Sequence, residues 1–440
     1  MVEGRAPEGG KRLLVLGAGP GQLGLLEAAR LRGLHVIAVD RNPAAPGFRF
    51  ADRRAIVSVE DETSIDRLAA AERVDGVIAP GTDFPVAIAA RVADRLALPH
   101  PLDPASAQLA VSKLRQRERF AEAGVPHARY ETCSTLREAE AAAQRLGYPC
   151  VVKAPDRQGQ KGLALPAGPE ELEDAFALAL EEARSNMVLV EEHVPGRELT
   201  VNAFSVDGYF QHLTVTDRVV AEPPAFGVAL AHVWPSEASP DEVGSAVRVA
   251  AVAAEALGIR EGPTYTQVLI RGEMVPGSLP GTGGAVVGEL AARLGGGHDA
   301  ELCAAALGVD LNELALSAAL GEPIEEEALL PSNETGGACV RFLVAPPGAL
   351  LEVEGLGEAD KSECVNWVRI YREPGFVFGP LRHGSDRAGA VLAVGDSREH
   401  ALERAARAAD RIRFATVAPE ALVSLGGSPS QPAEPASGAA

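Results

Sequence analysis

Gly288–Leu302 reads GELAARLGGGHDAEL, and the conformation of its first six residues decides what the rest of the chain can do. As a helix, Glu289 and Arg293 form an ordinary i,i+4 ion pair worth about 0.2–0.5 kcal/mol. As a strand, Glu289, Ala291 and Arg293 share one face, because side chains alternate along it. The glycines favour the strand. Gly295, Gly296 and Gly297 would each cost a helix interior about 1 kcal/mol relative to alanine. They suit backbone that turns sharply or lies close to a ligand. A strand then delivers one carboxylate and one guanidinium to the mouth of a cleft. A salt bridge at a turn is the plainer alternative, and the remaining sequence has to decide.

The chain has 440 residues, more than one domain usually holds, and three are expected. A hydrophobic share of 46% with 23% charged residues fits an ordinary soluble globular protein. Lysine and arginine number 41 against 61 acidic residues, a net charge of −20. That argues against a nucleic-acid partner, which basic surfaces neutralise, but leaves room for a phosphate held by a few local cations. The cysteines (133, 150, 303, 339 and 364) form no CxxC pair, so neither a zinc site nor a disulfide framework is expected. The segment MVEGRAPEGGK has no apolar core, and no run of about 18 apolar residues occurs, so no membrane association and a cytoplasmic location are expected. Asn333-Glu-Thr has the form of a glycosylation site but carries no meaning without secretion.

Residues 1–10 and 424–440, rich in Gly, Pro, Ser and Ala, are expected to be disordered. From 11 to 98, LLVLG, HVIAVD, AIVSV and DGVIAP alternate with amphipathic stretches, which predicts an α/β, Rossmann-like domain with a parallel sheet. A second region spans 99–330. It contains the helices SKLRQRERFAEAG, EAEAAAQRLG and EELEDAFALALEEARS, and a long helix from Asp241 to Gly258. Its strands are PCVVKAP, MVLVEEHV, LTVNAFSV, TYTQVLIRG and VVGELAA, the last two joined by the insert PGSLPGTGG. Residues 331–418 read as a small α+β domain ending in a helix capped by Asp396 or Ser397.

Four motifs carry chemistry. Gly19-Pro-Gly21-Gln-Leu-Gly24 with Asp40 at the next strand end fits the dinucleotide fingerprint, or else a tight strand-to-helix turn. Lys113 opens a helix, and Lys153 ends the apolar strand CVVK, where an ammonium needs an anion to offset burial. The loop APDRQGQKGLAL then offers Gly159, Lys161 and Gly162, able to close over phosphates through backbone N–H groups. No P-loop motif is present. In MVLVEEHVPGREL a strand gives way at Glu191, Glu192 and Val194 to a turn and Glu198; the exposed strand end can meet a base edge, and the carboxylate can accept ribose hydroxyls.

In their order and rough spacing, Lys113, Lys153 with its glycine loop, EEHVPGRE and GELAARLGG resemble the ATP-grasp ligases, over about residues 11–415. Within that superfamily the chain is most similar to bacterial L-amino-acid ligases, on VVKAPDRQGQKG, HVWPSE, AARLGGGHDAEL, VRFLVAPPG and EPGFVFGPLRHGSDRAGAVLAVGDS. The resemblance implies an ATP-grasp fold after a biotin-carboxylase-like N-terminal domain, and ATP with Mg²⁺ (Mn²⁺ as a substitute) as cofactors. It implies that a small-molecule carboxylate and an amine are joined through an acyl phosphate, with release of ADP and phosphate, and leaves a homodimer open. It assigns Lys113, Lys153 and the Asp156–Gly162 loop to the phosphates, Glu191, Glu192 and Val194 to adenine, mostly through backbone, and Glu198 to ribose. Glu289 and Gln267 fall to the metal and Arg293 to charge developing on the acyl group. The following glycines, Gly296 among them, would admit substrate to the backbone, with Arg218, His232 and His298 as further substrate candidates.

The pattern departs from the family in three places. Gln267 stands where a first metal-binding glutamate is usual, Ala291 where asparagine is frequent, and the loop PGSLPGTGG between these strands is long. These raise a catalytically degenerate ATP-binding protein as one alternative. A biotin-carboxylase-like enzyme is another, although the chain has no biotin-accepting Met-Lys pair, and an NAD-dependent oxidoreductase using the N-terminal turn is a third.

Overall fold

Apolar strands at the start of the chain need cover on both faces. The protein, in a computed structural model describing residues 10–222, 225–271, 281–333 and 335–420, gives it to them. β1 (Arg12–Leu16), β2 (His35–Val39), β3 (Arg53–Ala55) and β4 (Gly76–Ile78) form a parallel sheet in the order β3-β2-β1-β4. α1 (Leu23–Leu31), α2 (Glu62–Glu72) and α3 (Phe84–Arg95) connect or follow these strands, and Leu13 to Leu16 are fully buried. β3 lies two residues before the predicted AIVSV strand, at the sheet edge, and Ile56 is left exposed.

α4 (Pro104–Ala110), which the sequence reading missed, leads to α5 (Lys113–Ala123), capped by the Ser112 hydroxyl and ended by Gly124 at φ +69°. A small antiparallel sheet follows, ordered β5-β8-β6-β7: β5 (Tyr130–Cys133), β6 (Cys150–Lys153), β7 (Leu163–Ala164) and β8 (Val188–Glu192). α6 (Leu136–Leu146) and α7 (Leu172–Glu182) complete a separate core around Val152, Phe176 and Val190. Cys133 and Cys150 pack there as small apolar groups, their thiols pushed up to about 11 by burial.

Next come β9 (Arg197–Val206), β10 (Tyr209–Val220), β11 (Ala229–Trp234), α8 (Pro240–Ala256), β12 (Gly262–Ile270) and β13 (Ala285–Ala291), then α9 (Asp299–Leu307) and α10 (Leu311–Ala319). β13, β12, β9 and β10 are hydrogen-bonded antiparallel in that order. Leu199, Val201, Val268, Ala285 and Val287 cluster with Val249, Ala250 and Ala253 of α8. Alternation therefore turns Glu198, Thr200, Asn202, Tyr265 and Gln267 to the opposite, polar face. The edge strand β13 is covered from outside: Gln116 of α5 donates to the Leu290 carbonyl (2.7 Å) and accepts from its N–H (3.1 Å), and Val287 N–H donates to Pro126 (2.9 Å).

The chain divides into two compact units, 1–218 with 234–334, and 219–233 with 335–440. The second unit orders β11 with β14 (Gly337–Leu343), β18 (Gly389–Gly395) and β16 (Val365–Ile370), and β15 (Gly348–Glu354) between β17 (Val377–Phe378) and β19 (Arg413–Val417). It also holds α11 (Leu356–Asp360) and α12 (Arg398–Asp410), the latter capped by Ser397 rather than Asp396. The termini expected to be disordered and part of the PGSLPGTGG insert lie outside the described residues. Among the described residues no single helix is long and apolar enough to cross a membrane.

Candidate active site

Strict alternation from Val287, which packs into the core, would point Glu289 into the core as well. It does not go there. The register of β13 on β12 slips at Gly288: Val268 faces Val287, but Gln267 faces Glu289. This bulge puts Glu289 on the polar face, directly opposite Gln267, which in turn stands opposite Thr200. The bulge is held from α5, where Arg117 donates to the Gly288 carbonyl at 2.6 Å. The register shift at Gly288 is thus what delivers the carboxylate.

On this face each cation found in the sequence already has an acidic partner. Lys113, at the start of α5, pairs with Glu289 (2.8 Å) and also donates to the Arg157 carbonyl. Lys153, at the end of β6, pairs with Glu191 (2.7 Å). Arg117 is fully buried and grips the same carboxylate with two N–H groups (2.9 and 3.3 Å). Burial lowers the pKa of Lys153 despite Glu191; burial also opposes the charge on Glu191, but Arg117 and Lys153 outweigh it and hold it at about 2. Glu289 is likewise lowered, burial opposing and Lys113 prevailing. Arg293 lies just past the end of β13. Its guanidinium pairs with Asp83 (2.6 Å) and sits 5.5 Å from the Tyr265 ring centroid.

The other expected site residues have these surroundings. Glu191, assigned to adenine mostly through backbone, places its buried carboxylate on Lys153 and Arg117. Glu192 pairs with Arg129 (2.7 Å) and with Arg271, and Glu198 with buried Arg218. Val194 packs with Ala128, Val286 and Leu269, an apolar patch beside the polar face. Gly296 does not leave space for a substrate: a Cβ there would lie 2.9 Å from the Gly81 carbonyl, so the glycine serves close packing within the chain. Gly162 packs against α7, with a Cβ position 2.9 Å from Glu182 Cβ, whereas Gly159 is open and has φ +68°. Lys161 is half-buried on the loop between them. His298 is buried and bonded to Glu301 (3.0 Å), and His232 belongs to the second unit, edge-on to Phe342. The dinucleotide fingerprint is spent internally. Gly21 would place a Cβ 3.2 Å from the Gly296 carbonyl, Gly24 one 2.3 Å from Glu301, and Asp40 accepts from the N–H groups of Ala18 and Asn42. A pyrophosphate has no comparable access there.

Arg117 and Asp83 were missed. Arg117 had a signal, standing four residues after Lys113 on one helix face. Asp83 had none, because its partner is 210 residues away.

Residues 112–273 match the family described as carbamoyl-phosphate synthase L chain, ATP binding domain, and residues 341–417 match L-amino acid ligase C-terminal domain 2. The chain has the ATP-grasp fold and is similar to the ATP-grasp enzymes. This ATP-grasp chain is 29% identical over 412 residues to the formate-dependent phosphoribosylglycinamide formyltransferase of Ignicoccus hospitalis, covering 91% of this chain and 95% of the relative. The L-amino acid ligase of Bacillus licheniformis superposes with a TM-score of 0.76 at 21% identity, over 92% of this chain and 99% of that one. The biotin carboxylase domain of Hydrogenobacter thermophilus 2-oxoglutarate carboxylase, solved with MgADP, gives 0.74 at 18%, over 92% and 91%. These two likenesses establish the ATP-grasp fold.

Proposed function

We propose that the chain is an ATP-dependent carboxylate–amine ligase that joins amino acids or similar small molecules through an acyl phosphate. The observation that carries this reading is the paired charge on one sheet face: Lys113–Glu289 and Lys153–Glu191–Arg117, with Arg293 beside them. A triphosphate can replace the carboxylates as partner to the lysines. Arg117 Nη1 and Thr216 Oγ1 are buried without a hydrogen-bond partner among the described residues, donor capacity of the kind phosphate oxygens use. The apolar patch of Val194, Val286 and Leu269 suits a purine ring.

The donor set also fits Mg²⁺. Among the described residues no three His, Cys, Asp or Glu side chains gather on one point, so Glu289 and Gln267 would hold the ion with phosphate oxygens completing its shell. Bound there, it neutralises phosphate charge during transfer. In the reaction a carboxylate oxygen bonds to the γ-phosphorus as the β–γ bridge breaks, releasing ADP. An amine then attacks the acyl carbon, loses its proton, and expels phosphate. Arg293 faces the oxygen on which charge develops, where a pre-aimed donor contributes most.

The match to L-amino acid ligase C-terminal domain 2 supports an amino-acid substrate, while the Ignicoccus relative favours formate as the acid in a second reading. Phosphate release measured over a matrix of amino-acid pairs, with formate plus amines as a parallel set and hydroxylamine as acyl-phosphate trap, separates the two. If no acid of either set elicits phosphate release, both readings fail. If Gln267 meets the metal, Gln267→Glu tightens the Mg²⁺ dependence of that release; an unchanged Mg²⁺ titration excludes Gln267 from the ion.

A further inference from the structure

The loop DRQGQKG does more than cover the site: two of its side chains hold it to both ends of the polar face. Gln158 accepts a hydrogen bond from the backbone N–H of Asp83. In the amide orientation that satisfies both of its polar atoms, Gln160 donates to the Gly159 carbonyl and accepts from Arg218 Nη2, each at 3.2 Å. Gly159 lies between them at φ +68°, which lets successive glutamines reach opposite ways. Asp83 sits at the N-cap of α3 but makes no side-chain cap bond; its carboxylate goes to Arg293 instead. Between α7 and β8, Arg184 lies 4.1 Å from the Phe84 ring centroid and pairs with Glu60, and its backbone N–H donates to the Asp156 carboxylate at the loop base (3.0 Å). One short segment, Asp83–Phe84, therefore meets the loop, the arginine that bonds its base, and the Arg293 guanidinium.

Building on the ligase reading, we infer that Gln158 and Gln160 form a clasp that closes the loop and, through Asp83, fixes the position of Arg293. Gln158 and Asp83 are then positioning residues: neither has to touch substrate, and closure and guanidinium placement are set together. Closing the loop excludes water from the reacting acyl phosphate.

The test uses the full chain without nucleotide. Trypsin cuts after Arg157 and Lys161, inside the clasped loop. Losing one hydrogen bond of ordinary strength opens such a loop about five- to tenfold more often. Gln158→Ala and Gln160→Ala are each expected to raise the rate of cleavage at these two bonds by that factor, with the thermal midpoint of the whole protein unchanged. In the same variants, supplied with MgATP, acid and amine, phosphate released should exceed amide formed, and added hydroxylamine should recover the difference as hydroxamate. Wild-type loop cleavage as fast as in the variants overturns the clasp, whatever the enzyme makes. Absence of phosphate release from every acid–amine pair sinks the ligase reading and leaves the proteolysis result to decide the clasp alone.

Discussion

Glu289→Ala is expected to lower ATP-dependent phosphate release by roughly 10²–10³-fold or more, the usual loss when one pre-aimed electrostatic contact leaves a site. In the wild type Glu289 is tied to Lys113 at 2.8 Å, and its side chain is 23% exposed against 5% for Glu191. Lys113 keeps its bond to the Arg157 carbonyl when the acid is gone, so the fold should lose little. Activity and stability thus separate: turnover collapses while the thermal midpoint moves by a few degrees. MgADP should stabilise the variant less than the wild type, and metal-free ADP about equally. Unimpaired phosphate release in Glu289→Ala would show that the ion lies elsewhere.

The reasons this site could be read from sequence, and the reasons part of it could not, are both local. Lys113 and Lys153 stand at the first residue of a helix and the last residue of a buried strand, where boundary signals are strong and a charge calls for explanation. Glu289 was placed on the polar side for an incomplete reason. Plain alternation from the core residue Val287 sends it inward, and the bulge at Gly288 that reverses it follows from a register with β12 that no local pattern records. The glycines after Arg293 announced a close approach but not what approaches. The neighbour is Gly81, more than two hundred residues earlier in the chain, and not a ligand. Asp83 was invisible for the same reason. His232, a substrate candidate and the first residue of HVWPSE, lies in the stretch 219–233 that belongs to the second unit, a division no local pattern records. α10 had a legible start in the Asp310 cap, which accepts from the N–H groups of Asn312 and Glu313.

Glu191→Ala tests the other half of the site through stability. The substitution leaves Arg117, fully buried, and Lys153, nearly so, facing each other without their shared carboxylate. Removing one partner of a buried ion pair typically costs about 3–5 kcal/mol, because the remaining charge keeps its desolvation penalty. At roughly 2–4 °C per kcal/mol for a unit of this size, the midpoint should fall by about 10 °C or more. Lys153 can shed its proton, and burial already lowers its pKa, but Arg117 cannot, so the unpaired guanidinium carries most of the loss. The same carboxylate gives a pH signature. Its folded pKa is held at about 2, below the unfolded value of about 4.3, so between these the unfolded chain binds more protons. The stability it contributes is fully present above the unfolded value and lost as pH falls toward 2. Urea midpoints taken from pH 6 down to pH 3 should therefore decline more steeply for wild type than for Glu191→Gln, which has nothing to protonate. Parallel declines would mean that Arg117 and Lys153 do not hold this carboxylate ionised, and the anion cradle built on them would have to be abandoned.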